Sequence, residues 1–294
     1  MEPVETIKAG NTLGECILWD GETQSVWWTD IEERLLYRFD WRRRELRKFS
    51  TPERLCSFGF VEGCRSLIAA FESGFALYDP HDGSIVWLAR PESLRPGFRL
   101  NDGRVDRQGR LWVGGLAETE AGAGKAHLYC FDGSVRLCES GVTILNGICW
   151  SPDGAWFYLA DSAWNTIWRY AFSAVQGTIS GRSIFATTPD RGSPDGSAVD
   201  AEGFVWNARW GAGCVVRYAP DGRIDRVLEV PVSHPTCVAF GGPQLDLLFV
   251  TSARQGLGGE ALSRQSGAGD VLVYNVNVTG LPEHRFRRDG VAGI

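Results

Sequence analysis

The chain has 294 residues, of which 44% are hydrophobic, and a formal net charge of −6. It carries no basic stripe, which excludes a nucleic-acid partner, and no apolar run approaches a membrane span. Abundant glycine (36) and tryptophan (12) suit short strands joined by tight turns; the 8 scattered cysteines form no C-x-x-C pair and predict reduced thiols, not a zinc site.

The polar start, MEPVETIKAG, lacks the apolar core of a signal peptide, which predicts a cytoplasmic protein. Beyond it one unit recurs along the chain. Its anchor strands read VWWTD (26–30), LIAAF (67–71), LWVGG (111–115), FYLAD (157–161), VWNAR (205–209) and LFVTS (248–252). Each is followed by a second strand: LLYRFD, FALYDP, HLYCFD, TIWRYAF, CVVRYAP and DVLVYNV. Turn residues such as HDGS, SPDG and PDGR separate them. The anchors start 41 to 48 residues apart. Six such units predict an all-β fold, a six-bladed β-propeller forming one domain over 1–294, with the residues before the first unit closing the ring on the last blade. Trp27, Trp112 and Trp206 in the anchors read as packing between blades.

A shorter apolar segment precedes each anchor and should be the innermost strand, lining the central channel. Counting back ten to twelve residues from the anchors reaches Glu15, Cys56, Asn101, Asn146, Asp195 and Thr236. Equivalent positions lie at one height in a ring. Glu15, Asn101, Asn146 and Asp195 should therefore converge at one mouth of the channel, unless each simply makes a turn at a strand entry. Two carboxylates and two amides offer hard oxygen ligands. Such a set suits one divalent metal ion, Ca2+, Mg2+ or Mn2+, and also accepts Zn2+ or Fe2+. His234, ahead of the sixth inner strand, is either structural or a further group at the mouth. No G-x-S-x-G elbow and no complete phosphate loop occurs.

The motifs LGECILWD (13–20), RLNDGRVDRQGRLWVGG (99–115), LNGICWSPDG (145–154), SPDGSAVDAEGFVWNA (193–208) and PTCVAFGG (235–242), in that order, resemble the senescence marker protein/gluconolactonase/regucalcin family. The resemblance implies a six-bladed propeller that hydrolyses sugar lactones with a metal. It implies Glu15, Asn146 and Asp195 as metal ligands, with Asp195 also the candidate general base, and Arg99 and Asn101 as substrate contacts. A further family contact, a glutamate, falls by register on Thr119; the neighbouring Glu118 is taken for that role, with Thr119 itself and Glu120 the alternatives. Asp102 either faces away from Asn101 or holds a turn. The segment AETEAGAGK (117–125) is a lid or a plain surface loop.

The expected activity is hydrolysis of an aldonolactone to the aldonic acid, by a monomer whose partner is the small sugar lactone. Two other readings remain: a non-catalytic calcium-binding regulatory propeller, and a hydrolase of another ester or a phosphotriester.

Overall fold

The computed structural model describes residues 1–91, 95–187 and 190–288. Among them the strands form six four-stranded antiparallel sheets arranged as the blades of a propeller. The inner strands are Gly14–Asp20, Leu55–Phe60, Phe98–Val105, Leu145–Trp150, Ser193–Val199 and Pro235–Gly241, one for each of blades 1 to 6. Each inner strand touches the inner strands of both neighbouring blades, and blade 6 returns to blade 1, so the ring is closed. The anchor strands of the sequence lie second in each blade. The outer strand of blade 6 is Glu5–Ile7 from the start of the chain, paired with Val271–Asn275.

The apolar runs lack strict alternation because both faces of a blade are buried between neighbours. Trp27 packs toward blade 2, beside Phe58 and Phe60, while its neighbour Trp28 packs toward blade 6, beside Phe249 and Val273. The core is therefore six wedges, one between each pair of adjacent blades. Trp112 meets Trp150, Phe157 and Phe172 of blade 4, and Trp206 meets Phe240 of blade 6. Each fully buried side chain of this kind contributes about 1.5–3 kcal/mol. The turns that lead to these tryptophans are tied to them: Asp106 Oδ2 accepts Trp112 Nε1–H and Asp200 Oδ2 accepts Trp206 Nε1–H, both at 2.9 Å.

The N-terminal strand and residues 280–287 are both fastened. Asp270 accepts Lys8 Nζ at 2.8 Å and the backbone N–H of Ala9 at 2.9 Å, holding the N-terminal strand on blade 6. Residues 280–287 cross the far mouth of the channel, where the inner strands end. Gly280 bridges to Asp200 of blade 5, Phe286 bridges to Val61 of blade 2, and Arg287 donates its N–H to Gly109 O at 3.0 Å. Under this strap, Arg104 of blade 3 pairs with both carboxylate oxygens of Glu283, at 2.5 and 3.1 Å. No helix among the described residues is long and apolar enough to cross a membrane.

Candidate metal centre and active site

All six inner strands break register at the same height. The shifts fall between Glu15 and Leu18, Leu55 and Ser57, Leu100 and Gly103, Asn146 and Cys149, Pro194 and Ser197, and Pro235 and Val238. A bulge sets an extra residue free of the ladder and re-aims its side chain. The six positions counted from the repeat, Glu15, Cys56, Asn101, Asn146, Asp195 and Thr236, all lie within or beside these bulges. The backbone there is unusual: Cys16, directly after Glu15, has φ of 46°, and Gly147, directly after Asn146, has φ of 63°. Gly147 has to be glycine on space as well, since a Cβ would lie 2.7 Å from Ser197 Oγ and 3.0 Å from Asp195 O.

A chain of hydrogen bonds links the polar half of the mouth. Arg99 Nη1 donates to Asn101 Oδ1 at 2.6 Å. Asn101 Nδ2 donates to Asn146 Oδ1 at 2.9 Å and to Leu145 O at 2.9 Å. Asn146 Nδ2 donates to Ser162 Oγ at 2.9 Å, and that hydroxyl donates to Pro194 O at 2.6 Å, next to Asp195. Glu15 and Asp195 complete the group, both buried. Burial pushes the Glu15 carboxyl well up, helped by the negative charges of Asp195 and Asp102. Burial likewise pushes the Asp195 carboxyl well up, with Asp102 adding to it. Asp195 Oδ1 is buried with no hydrogen-bond partner.

Among the described residues no three His, Cys, Asp or Glu side chains gather as a metal-binding cluster. What the mouth offers instead is two carboxylates and an amide oxygen. Their chemistry fits a hard divalent cation: it would relieve two crowded buried carboxylates and use the oxygen of Asp195 that has no partner.

The remaining residues singled out in the sequence fall as follows. Glu118 accepts from Arg54 Nη1 at 2.8 Å, and its Oε1 lies 3.6 Å from Arg99 Nε. Thr119 and Glu120 are exposed, and Glu120 opens a short 3-10 turn, Glu120–Gly122. That loop is packed down: a Cβ on Gly122 would meet Ala117 and Phe98, and Gly124 donates its N–H to Thr143 Oγ1 at 2.9 Å. Asp102 does not face away. It accepts the N–H of Ile148 at 3.1 Å, with further backbone N–H groups of Gly103 and Gly147, and so clamps the bulge of blade 4. Cys56 lies 3.7 Å from Arg99 Nη1, and Thr236 Oγ1 donates to Gly14 O, tying blade 6 to blade 1. His234 stacks on Trp210 with ring centroids 4.2 Å apart, and its Nδ1 lies 3.1 Å from Gln255 O. Trp210 in turn packs on a buried apolar group of Leu13, Ile31, Cys56 and Ala253, which joins blades 6, 1 and 2 at this end.

Sequence reading missed two residues that act on this group. Asn207, fully buried, donates Nδ2 to Asp195 O at 2.6 Å and to Ser197 Oγ at 3.0 Å, holding the bulge of blade 5. Arg54 is the other. An Asn inside an apolar anchor strand, VWNAR, was the one signal in the sequence for Asn207.

The sequence pattern of the SMP-30/gluconolactonase/LRE-like region matches residues 13–254, a span that runs from just before Glu15 to just beyond blade 6's second strand. The chain belongs to this family. Among relatives of this SMP-30/gluconolactonase family, a 6-deoxy-6-sulfogluconolactonase of Pseudomonas putida is 34% identical over 95% of this chain and 97% of its own. An L-arabinolactonase of Azospirillum brasilense is 35% identical over 94% of this chain and 92% of its own. Among solved structures, a calcium-binding protein, regucalcin, from Agrobacterium tumefaciens superposes with a TM-score of 0.92 at 32% identity, covering 98% of each chain. These relatives of 34–35% identity, matched over nearly the whole chain, are named as lactonases, which are carboxylic-ester hydrolases.

Proposed function

We propose that the chain is a metal-dependent lactonase that opens a sugar lactone to its aldonic acid. The observation that carries this reading is the pair of buried carboxylates, Glu15 and Asp195, set beside Asn146 at the channel mouth with Asp195 Oδ1 unpartnered. The lactonase names of the relatives support it, and so does the calcium-binding regucalcin fold. Glu15, Asn146 and Asp195 would hold one divalent cation. When bound, that cation supplies Lewis acidity to the ester carbonyl and to water.

The chain's own residues do the rest. Asp195 takes a proton from the attacking water as its oxygen bonds to the lactone carbonyl carbon, and returns it to the ring oxygen as the ring C–O bond breaks. Arg99, Asn101 and Glu118 hold the sugar hydroxyls, with Asn101 fixed from both sides by Arg99 and Asn146. Asn207 keeps Asp195 in place by its backbone oxygen.

The test strips the purified protein of metal and follows acid release from five- and six-carbon aldonolactones, with Ca2+, Mg2+, Mn2+, Zn2+ or Fe2+ restored singly. A rate above spontaneous hydrolysis that returns with a metal is the expected result. The regucalcin relative, described as calcium-binding, favours a second reading, a calcium-binding propeller without turnover. Metal binding with no rate on any lactone would select that one.

A further inference from the structure

Glu118 stands at the end of blade 3's second strand with its side chain 35% exposed, a position in which a lone carboxylate would wander. Arg54, from the turn that opens blade 2, prevents this. Its Nη1 donates to Glu118 Oε1 at 2.8 Å, its Nε donates to Glu72 Oε2 at 2.7 Å, and Glu32 lies 3.7 Å from the same guanidinium. The planar fork of arginine suits two carboxylates held in different directions at once. Its side chain is only 20% exposed, so these pairs are less screened than surface ones. Glu72 is itself fixed, accepting the backbone N–H of Arg54 at 3.4 Å.

Opposite Arg54, Arg99 Nε lies 3.6 Å from Glu118 Oε1, too far for a hydrogen bond, and has no other hydrogen-bond partner although it is buried. An unused donor and a fixed acceptor thus face each other. A hydroxyl, which donates and accepts, satisfies both; a methylene satisfies neither.

We infer that Arg54 is a positioning residue for hydroxyl recognition: it fixes Glu118 opposite the free Nε of Arg99 and so gives the site its preference for hydroxylated over bare lactones. This rests on the lactonase reading, with Glu118 and Arg99 facing the substrate. A site built to hydrogen-bond a hydroxyl discriminates strongly against the analogue lacking it, because its own polar groups are then left unpaired.

The test compares metal-loaded wild type with Arg54→Gln, Arg54→Lys, Glu118→Gln and the Arg54→Gln/Glu118→Gln double variant. The substrates are D-glucono-1,5-lactone, which carries hydroxyls, and δ-valerolactone, which carries none. Arg54→Gln raises KM for gluconolactone about tenfold with kcat nearly unchanged, a size set by loss of one charge-assisted hydrogen bond. It leaves kcat/KM for valerolactone as in wild type. Arg54→Lys, which keeps the charge but loses the fork that holds Glu118 and Glu72 together, raises the gluconolactone KM about threefold, and the double variant is no worse than Glu118→Gln alone. Equal losses on both lactones, additive losses in the double variant, or an unchanged gluconolactone KM in folded Arg54→Gln would each overturn the role of Arg54 while leaving the lactonase standing. If Arg54→Gln does not fold, Arg54→Lys decides the matter: its KM must rise for gluconolactone alone, and an unchanged KM overturns the role. A wild type that opens neither lactone overturns the lactonase reading and this inference together.

Discussion

Glu15 and Asp195 sit side by side in the protein interior, and their charges are costly there. A buried acid whose pKa is raised favours the protonated folded form. Its stabilisation is complete below about pH 4 and is lost as pH climbs through the raised value. The metal-stripped protein therefore loses stability as pH rises from the ordinary carboxylate range through the raised values. Well above the ordinary carboxylate range, Glu15→Gln should melt about 3 °C or more above stripped wild type, while an added divalent cation should raise wild type and do little for the variant. Scanning calorimetry across pH checks both. Asp195→Asn at matched metal occupancy should lower kcat by about 10²–10⁴ with the circular dichroism spectrum intact; near-normal turnover would remove Asp195 as the base. At this scale the sequence was informative where the repeat could be counted. Glu15, Asn101, Asn146 and Asp195 share a register, and register follows from spacing. Arg54 and Asn207 were illegible because their importance lies in contacts between segments, Arg54 with a residue 64 positions away. Which of Glu118, Thr119 and Glu120 points inward was equally hidden, since one step of register turns a side chain to the other face.

The inner strands are regular enough to be read from apolar runs and turn residues, and their order in each blade follows from the repeat. Their bulges were not readable, because a bulge leaves composition unchanged. Asp102 shows the consequence: strict alternation would have turned it away from Asn101's side, whereas the irregular backbone between Leu100 and Gly103 lets it reach the N–H of Ile148. The bulge of blade 4 depends on Gly147. Replacing it with alanine should cost about 1–2 kcal/mol from the left-handed backbone alone, and more from the contacts with Ser197 and Asp195. Activity should fall about a hundredfold, since Asn146 and Asp195 are both displaced. Gly154→Ala is the control. It has φ of 71° but open space around it, so it should lose about 1 kcal/mol and keep full activity. Urea denaturation and initial rates on the two variants make the comparison.

For the whole molecule, six similar wedges and a strand borrowed from the N-terminus close the ring, and the periodicity predicted both. The strap over residues 280–287 was invisible to it, because the segment belongs to no repeat and its purpose emerges only once Arg104 is seen beneath Glu283. Glu283→Gln removes the carboxylate paired with that buried guanidinium and should cost about 3 kcal/mol in urea denaturation, with the rate at about 25 °C retained. A cavity of about 230 Å³, lined by Trp150, Phe240, Pro282 and His284 among others, lies at this end, away from the candidate site. The strap has a kinetic consequence too. With the strap across one end, the other mouth is the route to the proposed site. On the lactonase reading, a lactone that enters at the rim beside Glu118 leaves past it as the acid, so the product just formed occupies the doorway the next lactone needs.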